Sequence, residues 1–413
     1  MTAASNAPTG AVSFMDPAVQ QCPYSAYQEL RELGPVYQEP STGFFVVLDH
    51  GLCRKIASDT EIFRNDTGIM RGRLRPEVMK IYEESGVVPI QGLVTGDGPD
   101  HRFQRALVEK VFTMGRVKKM ETYLTQVVDE CIEGFIAAGR ADLHADLAVK
   151  LPLLVIADQL GVPREDLERF RYWTESSAEG TNPILDPDRE LELIRIEVEF
   201  NNYLLGIAEA YRSEPADVLF SDIVHANVDG RRVTDGELVA MASLLIIAGN
   251  ETTTNAIGNA FHRLIVEPEL QEQLRSEPER IGAFVEESLR YEAPIQGLFR
   301  LVSRDTEVAG VSIPQGSILV LRWGAANRDP TVFDEPDRFD PQRGNARSHI
   351  TFGYGPHFCL GSHLARGEIR ISIARMLDRL RNIRFAADDA PVERASTYVV
   401  SGYQKQLVEF ETR

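Results

Sequence analysis

Residues 351–366 read T-F-G-Y-G-P-H-F-C-L-G-S-H-L-A-R, and they decide the fold of this 413-residue chain. Gly353, Gly355 and Gly361 surround one cysteine, Cys359. Glycine reaches backbone conformations that a Cβ forbids, and it lets the chain approach another group closely. The apolar pattern after Cys359 is helical, so we predict a tight loop that ends where a helix begins. Amide N–H groups at such a helix end favour a thiolate, which is a metal ligand or a nucleophile.

An isolated cysteine is most often buried and inert, but the residues around Cys359 argue against that interpretation. The run F-G-x-G-x-H-x-C-L-G resembles the haem-binding signature of cytochromes P450, and a motif of this length is very specific. The matching residues are Phe352, Gly353, Gly355, His357, Cys359, Leu360 and Gly361, with Ala365, Arg366 and Glu368 downstream. The resemblance implies the cytochrome P450 fold, which is mainly α with a small β-sheet region. It also implies a haem b iron held on one side by Cys359 alone.

Composition limits the class of protein. The net charge is −18 and 43% of the residues are hydrophobic, which indicates a globular protein with a large core and argues against a nucleic-acid partner. The four cysteines are not spaced as in a disulfide framework, which suggests a reducing compartment. The most apolar run, residues 239–249, is too short to span a membrane. We therefore expect a cytoplasmic protein, with residues 1–20 poorly ordered and residues 21–413 forming a single domain.

A second informative stretch is residues 239–257, which contain A-G-N-E-T-T at positions 248–253. The residues before this motif are apolar on nearly all sides, so the pattern predicts a buried helix. A glycine inside a helix costs about 1 kcal/mol relative to alanine, and a buried glutamate needs a partner. Gly249 and Glu251 together therefore point to function, while the structural alternative is a kink with a surface glutamate. The stretch resembles the family's oxygen-binding helix, with Glu251 in place of the more frequent aspartate.

Neighbouring residues on a helix point about 100° apart, so Glu251 and Thr252 cannot both face the same group. The resemblance implies that Thr252 hydrogen-bonds the oxygen and that Glu251 brings protons from solvent, which makes both candidate catalytic residues. Ala248 and Gly249 are expected beside the haem. The substrate pocket is expected to be lined by Leu244, Ile247, Ala248, Ile295, Leu298 and Val399. Because these residues are apolar, we predict a hydrophobic small molecule, either a terpenoid, an aromatic or a fatty compound.

His101 and Arg105 are four residues apart on a helix predicted to start at Asp97, so they share one face. A surface pair is the plain alternative. A histidine and an arginine at this spacing bind the haem propionates in the family, so the resemblance assigns that role to His101 and Arg105. It assigns the same role to Arg300 and His357. Propionates brought into an apolar pocket need cationic or hydrogen-bonding partners.

Other segments carry local signals. Glu287 and Arg290 match the family's E-x-x-R ion pair, although such pairs are also common on helix surfaces. Residues 64–95 are rich in glycine and proline and predict a long irregular loop, which is usually functional. We also predict a helix over residues 24–33, a strand hairpin from 36–37 to 43–48, mostly helical structure over 116–235, a hairpin over 308–321 and a tight turn at 398–402.

Arg71, Arg73 and Arg75 lie within the predicted loop. A solvated run of charge is the plain interpretation, and a site for a carboxylate on the substrate is the functional one. Residues 180–188 break the helical pattern and match the family's lid over the substrate channel.

The resemblance implies a monooxygenase that inserts one oxygen atom of O₂ into a C–H or double bond and releases the other as water. Two alternatives stay open: a peroxygenase driven by H₂O₂, which Glu251 and Thr252 argue against, and a non-enzymatic haem carrier or gas sensor. No G-x-G-x-x-G follows a predicted strand, so electrons must come from another protein. We expect an acidic iron–sulfur ferredoxin with its NAD(P)H reductase. The docking residues would be Lys110, Arg116, Lys118 and Lys119, beside Arg343 and Arg366, unless the cluster is only a solvated helix end.

Overall fold

The fold was analysed in a computed structural model, which describes residues 7–8, 12–67, 75–87, 90, 92–180, 186–388 and 390–413. The chain divides into two compact units. Unit 1 comprises Met1–Asn65, Met120–Leu151 and Thr252–Arg413, and unit 2 comprises Asp66–Lys119 and Pro152–Glu251. The single domain expected over residues 21–413 stays a prediction.

The described residues are mainly helical, with short strands, so the predicted fold class is confirmed. The α-helices are α1 Pro17–Gln21, α2 Tyr24–Leu33, α3 His50–Ser58, α4 Pro76–Ser85, α5 Gly98–Glu109, α6 Met114–Lys119, α7 Glu121–Glu133, α8 Lys150–Leu160, α9 Leu167–Glu179, α10 Pro187–Ser213, α11 Leu219–Val224, α12 Asp235–Val266, α13 Pro268–Ser276, α14 Ile281–Tyr291, α15 Trp323–Ala326 and α16 Ser362–Arg379. The β-strands are β1 Val36–Gln38, β2 Phe45–Val47, β3 Phe63–Arg64, β4 Arg140–Asp142, β5 Asn227–Val228, β6 Arg231–Arg232, β7 Leu298–Val302, β8 Thr306–Val308, β9 Val311–Ile313, β10 Ile318–Leu321, β11 Leu380–Phe385, β12 Val392–Ser396 and β13 Ser401–Thr412. Within the described ranges, no helix is both long and apolar enough to cross a membrane.

The main sheet of unit 1 has the strand order β1-β2-β10-β7-β3. β1 and β2 form the antiparallel hairpin that the sequence predicts, and β10 joins β2 in parallel. Successive residues of β2 enter two different core clusters, with Phe45 and Val47 in one and Val46 in the other. Both faces of β2 are therefore buried, which explains why its sequence, F-V-V, is continuously apolar instead of alternating.

The second sheet of unit 1 places β13 between β11 and β12, and β4 also pairs with β13. The turn between β12 and β13 is closed by a hydrogen bond from Thr397 N to the Val400 carbonyl oxygen, 2.8 Å long. The Thr397 hydroxyl accepts the N–H groups of Val399 and Val400. The predicted tight turn in this region is confirmed.

The predicted hairpin over residues 308–321 is wrong in its pairing. β8 pairs with β9 across a turn at Ala309 and Gly310, which both have positive φ. The turn at residues 314–317 leads instead to β10, which pairs with β7 and β2. β10 is an apolar run, and it buries both faces only by entering the main sheet.

The expectation that residues 1–20 are poorly ordered is corrected for residues 12–20. Phe14 is 1% exposed, and its ring packs against Tyr27 with a centroid distance of 5.7 Å. The Arg322 guanidinium lies 4.2 Å from the same ring. Asp16 caps α1 by accepting the Ala18 N–H. The packed Phe14 ring and the capped helix α1 order this segment. Neither feature produces the periodic apolar pattern from which an ordered segment is predicted in a sequence.

In unit 2, the irregular loop predicted over residues 64–95 is interrupted by α4. Pro76 stands at the first turn of this helix and Gly86 ends it with φ 77°, which is the usual placement of these two residues at helix ends. Val78 and Tyr82 are buried against Ile194 of α10. The glycines and prolines that suggested a loop are therefore partly helix-end residues.

Arg75 forms an ion pair with Glu190 at the start of α10, also within unit 2. Arg71 and Arg73 lie outside the described residues, as do residues 181–185 of the predicted lid. Gly161 ends α8 with φ 84°. Thr234 and Glu237 form a capping box at the start of α12, since each side chain accepts the backbone N–H of the other.

Candidate active site

Cys359 lies on the loop that ends at α16, and its side chain is exposed. Its backbone N–H donates to the Phe352 carbonyl oxygen at 2.9 Å, which closes the loop. Gly353 and Gly355 both have φ 73°, a conformation that disfavours any side chain. A Cβ on Gly355 would also lie 2.9 Å from the Ala57 carbonyl oxygen of α3. The predicted tight loop before a helix is confirmed, and two of its three glycines are required by the backbone.

The third glycine, Gly361, is not required by the backbone. It precedes α16 with φ −76°, which any residue can adopt. A Cβ on Gly361 would lie 4.0 Å from the Cys359 sulfur, which is an ordinary van der Waals contact. His357 is half-buried on the same loop, and Phe358 is 40% exposed.

Glu287 and Arg290 of α14 form the predicted E-x-x-R pair, and both side chains are fully buried. Arg290 Nε and Nη2 each donate to one carboxylate oxygen of Glu287 at 2.7 Å. The same carboxylate accepts the Asp340 N–H at 2.9 Å and Arg343 Nε at 3.2 Å. Arg290 also donates to the carbonyl oxygens of Asn327, Pro336 and Arg338. The pair therefore fixes the segment that precedes the cysteine loop. A buried ion pair can do this only when its remaining hydrogen-bonding groups also have partners.

Glu286, one residue earlier, belongs to a second buried cluster that the sequence did not reveal. Its carboxylate accepts Arg366 Nε at 2.7 Å, Arg366 Nη2 at 3.1 Å and His349 Nε2 at 3.1 Å. Burial opposes ionisation, but the hydrogen bonds from His349 and Arg366 outweigh it and hold the pKa of Glu286 at about 2. The adjacent glutamates of E-E-S-L-R were the available signal, because two consecutive buried carboxylates each need a partner.

Arg300, a predicted propionate ligand, lies on β7 of unit 1 and is 3% exposed. Its Nη1 donates to the Phe299 carbonyl oxygen at 2.8 Å. A buried guanidinium is rare without anionic or hydrogen-bonding partners, and its charge suits a propionate.

Three predicted pocket residues belong to unit 1, and the structure brings two of them together. Ile295 forms a β-bridge with Val400, and Gln296 N donates to the Val399 carbonyl oxygen at 2.6 Å. Ile295 and Val399 are therefore neighbours on adjoining backbones. Leu298 begins β7 and is 37% exposed.

His101 and Arg105 lie one turn apart on α5 of unit 2, as predicted. His101 is buried. Arg105 is largely shielded and lies 3.9 Å from Glu109 on its own helix. The alternative of an exposed surface pair is not supported by this burial.

The buried helix predicted over residues 239–257 is confirmed as part of α12, since all but three of these residues are buried or half-buried. Ile247, Ala248 and Glu251 are exposed, and Leu244 is half-buried. These four positions recur at three- and four-residue spacing, so they share one face. An apolar sequence shows that a face avoids water, but it does not show whether protein or a ligand covers it.

Gly249 and Glu251 now have local explanations. A Cβ on Gly249 would lie 3.2 Å from Ile156 Cδ1 of α8 in unit 2, so close packing of the two helices favours glycine. Glu251 is exposed, which agrees with the surface-glutamate alternative, although desolvation still raises the pKa of its carboxyl. Thr252 is half-buried.

The cations predicted to dock a partner separate into two groups. Arg116 is only 16% exposed and pairs with Asp217 and Asp222. Arg343 is 6% exposed and pairs with Glu287, and Arg366 is engaged by Glu286. The prediction that these arginines present a docking surface is therefore wrong for Arg116 and Arg343. The members of the cluster that are exposed are Lys110, Lys118 and Lys119.

The chemistry of the unit 1 residues fits haem. Cys359 presents an exposed thiol on a loop whose backbone is fixed, and a thiolate is one of the ligands that haem iron takes. Arg300 presents a buried guanidinium, and arginine binds carboxylates such as propionates through charge-assisted hydrogen bonds.

Comparison with known proteins agrees with this chemistry. The family model described as Cytochrome P450 matches residues 207–395. A steroid C26-monooxygenase of Mycobacterium tuberculosis is 31% identical over 386 residues, which cover 94% of this chain and 93% of that protein. A vitamin D(3) 25-hydroxylase of Pseudonocardia autotrophica is 37% identical over 314 residues, which cover 75% of this chain and 76% of that protein.

Solved structures show the same similarity. A cytochrome P450 from Chondromyces apiculatus matches with a TM-score of 0.86 and 30% identity, covering 97% of this chain and 98% of that one. A cytochrome P450 from Bacillus megaterium, solved in complex with testosterone, matches with a TM-score of 0.82 and 30% identity, covering 94% and 99%. This chain belongs to the cytochrome P450 family, and the predicted fold is confirmed. It is a haem monooxygenase that uses O₂, and its family takes electrons from partner proteins and acts on hydrophobic substrates.

Proposed function

We propose that this chain is a haem-thiolate monooxygenase in which Cys359 alone ligates the iron of haem b. The single observation that carries the proposal is the exposed Cys359 thiol on a loop held by Gly353, Gly355 and the bond to the Phe352 carbonyl. Bound haem would supply the activation of O₂, so that one oxygen atom enters the substrate and the other leaves as water. The protein supplies binding, orientation and protons.

The experiment is to compare Cys359→Ala with Cys22→Ala, since Cys22 is the other exposed cysteine among the four. The parental protein and Cys22→Ala should give the red-shifted carbon monoxide absorption of a thiolate-ligated haem, and Cys359→Ala should lose it. A Cys359→Ala spectrum identical to that of the parent would show that the ligand is another residue.

The propionates are proposed to bind His101, Arg105, Arg300 and His357. Both His101 and Arg300 are buried and can donate hydrogen bonds to a carboxylate, which supports this role. The haem is further proposed to contact Ala248, Gly249, Phe352 and Gly361, as the family motif implies.

Proton delivery is proposed to divide between Thr252 and Glu251. Glu251 is exposed and its pKa is raised by desolvation, so it can take protons from solvent and hold one at higher pH than an ordinary glutamate. Thr252 is half-buried next to it, and its hydroxyl can both accept and donate a hydrogen bond at the oxygen. A general acid with a pKa nearer to neutrality is better suited to this role.

The substrate is proposed to be a neutral hydrophobic molecule of the terpenoid class, of steroid size. The exposed apolar side chains of Ile247 and Leu298 support a hydrophobic ligand. Arg75, the described member of the arginine run, is engaged by Glu190, which argues against a carboxylate on the substrate there. The steroid and vitamin D relatives and the testosterone complex favour a polycyclic compound over an aromatic or fatty one.

This choice is tested by optical titration with one steroid, one long-chain fatty acid and one small aromatic compound. The steroid should displace the iron-bound water at the lowest concentration. A spectral change caused only by the fatty acid would reject the terpenoid class.

Electrons are proposed to come from an acidic iron–sulfur ferredoxin with its NAD(P)H reductase, and all of these proteins are proposed to be cytoplasmic. In unit 1, exposed Arg54 donates to the Tyr354 hydroxyl at 2.7 Å on the cysteine loop, which also carries the exposed Phe358. In unit 2, Lys118 is exposed. Charges at a rim govern association rate and its salt dependence.

Arg54→Glu and Lys118→Glu should each slow reduction by the ferredoxin at low ionic strength, and added salt should reduce the difference. Lys80→Glu is the control, because Lys80 is exposed on α4 and pairs with Glu84 of its own helix. Reduction that ignores both ionic strength and these substitutions would reject electrostatic docking.

A further inference from the structure

The neutral form of His349 is imposed by geometry. Its Nδ1 accepts the backbone N–H of Thr351 at 3.2 Å, so the ring proton must lie on Nε2. Nε2 in turn faces Glu286 Oε2 at 3.1 Å. A second ring proton would point at the Thr351 N–H, and desolvation also lowers the pKa of His349. His349 therefore links a carboxylate of α14 to the backbone of the segment that enters the cysteine loop.

Thr351 is held from two further directions. Its hydroxyl donates to the Leu289 carbonyl oxygen of α14 at 2.7 Å and accepts Asn327 Nδ2 at 2.7 Å. Asn327 Oδ1 accepts the Ile350 N–H at 2.7 Å. The backbone immediately before Phe352 is thus fixed by side chains from outside the loop.

Arg366 reaches the loop by a different route. Its guanidinium makes two hydrogen bonds to Glu286 and lies 4.3 Å from the centroid of the Phe352 ring. A guanidinium over an aromatic face is attractive, and more so when it is partly shielded from water. The carbonyl oxygen of Phe352 accepts the Cys359 N–H. The Glu286 carboxylate is therefore connected to this segment by two routes, through Arg366 to the Phe352 ring and through His349 to the Thr351 N–H.

We propose that Glu286 is a positioning residue for the Cys359 thiolate, acting through Arg366 and His349 on the Phe352 carbonyl. Glu287 stabilises the segment near Arg343 and Asp340, whereas Glu286 sets the position and orientation of the cysteine loop itself. The inference rests on the proposed function, because it concerns the same thiolate. It predicts that loss of the Glu286 cluster leaves a folded protein whose cysteine no longer keeps the thiolate bond to iron.

Three variants test the three links. Glu286→Gln removes the carboxylate charge, Arg366→Lys keeps a positive charge but loses the two-pronged contact and the planar stacking, and Phe352→Leu removes the ring while keeping its backbone carbonyl. Arg370→Lys is the matched control, since Arg370 lies one turn further along α16 and pairs with exposed Glu121. Glu121→Gln is the control for the carboxylate.

The holoprotein of each variant is reduced under carbon monoxide, and loss of the red-shifted absorption is followed with time at a raised temperature. Glu286→Gln and Arg366→Lys should lose it about tenfold faster than the parent, as expected for the loss of one charge-assisted hydrogen bond. Phe352→Leu should show a smaller increase, and both controls should match the parent. Circular dichroism on the same samples should show unchanged helix content while the absorption is lost.

Equal rates in all variants would overturn the positioning role. Loss of helix content in step with the absorption in Arg366→Lys and Phe352→Leu would also overturn it, because the cluster would then only stabilise the fold. A different result would reject the proposed function itself. In that case the parental protein would lack the red-shifted absorption, or the Cys359→Ala protein would keep it.

Discussion

The cysteine loop and the middle of α12 carry the two main sets of predicted functional residues, and they are built in different ways. The loop is fixed by residues from α3, α14 and α16, with buried ion pairs at Glu286 and Glu287. The face of α12 at Ile247, Ala248 and Glu251 is exposed instead. These surroundings suit the roles proposed above: an iron ligand must stay in one position and needs many supporting contacts, whereas residues that meet substrate, oxygen and protons must stay accessible.

Breaking the support of the cysteine loop should have the largest effect. Arg290→Ala leaves the Glu287 carboxylate buried without its bidentate partner, which costs about 3–5 kcal/mol. We expect little folded holoprotein, measured by thermal unfolding and haem content. Arg338→Ala removes an exposed arginine from the same region and should be nearly neutral. A folded Arg290→Ala protein with parental stability would show that the pair is dispensable.

Thr252→Ala tests the accessible region and should change the reaction without unfolding the protein. Substrate binding and electron consumption should persist, but most electrons should appear as hydrogen peroxide instead of hydroxylated product, because the hydroxyl that we propose to order proton delivery is gone. The measurement is the ratio of product to NAD(P)H consumed. An unchanged ratio would place proton delivery elsewhere, for example at Thr253.

A pair of glycine substitutions sharpens the comparison directly. Gly355→Ala puts a side chain at φ 73° and against the Ala57 carbonyl, which costs about 1–3 kcal/mol from the backbone conformation alone. Gly249→Ala meets only the tip of the Ile156 side chain, and alanine gains about 1 kcal/mol in helix propensity. Denaturant titration should therefore show a clear loss for the first and a change near zero for the second. Equal losses would contradict the contrast between loop and helix.

The pH dependence of the free energy of unfolding should reflect the shifted pKa values of two buried acids of unit 1, Glu368 and Glu286. Burial raises the pKa of Glu368 on α16 to about 8 from its ordinary 4.5, so its stabilising effect is present below 4.5 and lost as pH rises through 8. Glu286, with a pKa of about 2, acts oppositely and loses its effect as pH falls towards 2. Glu368→Gln should flatten the decline in thermal unfolding temperature between about pH 5 and pH 8. If the unfolding temperature of Glu368→Gln declined as steeply as that of the parent, the decline would be due to other titrating groups.

The smallest effect is expected from Glu251→Gln, which keeps the shape and removes the acid. Turnover should slow while substrate affinity stays near that of the parent. Because the pKa of Glu251 is raised, parental turnover should fall as pH rises through that value, and the variant should lack this step. Identical pH profiles of kcat would remove Glu251 from the proton route.

The sequence by itself determined the local features of this protein. Residues close together in the chain determine the loop around Cys359, the helix over residues 24–33, the hairpin of β1 and β2, the helix carrying Glu251 and the i, i+3 spacing of Glu287 and Arg290. Glycine conformations, helix periodicity and i, i+3 contacts act over a few residues, so a pattern can predict them.

Only the tertiary structure decided which distant residues meet. Glu286 finds His349 and Arg366, 63 and 80 positions away, and β10 leaves the predicted hairpin to join β2 and β7. Phe14 orders the N-terminal segment by packing against Tyr27 and Arg322. Arg343, which the family resemblance placed beside the docking cations, is buried beside Glu287. These outcomes depend on which surfaces are left to be covered once the chain has folded, and short-range propensity does not contain that information.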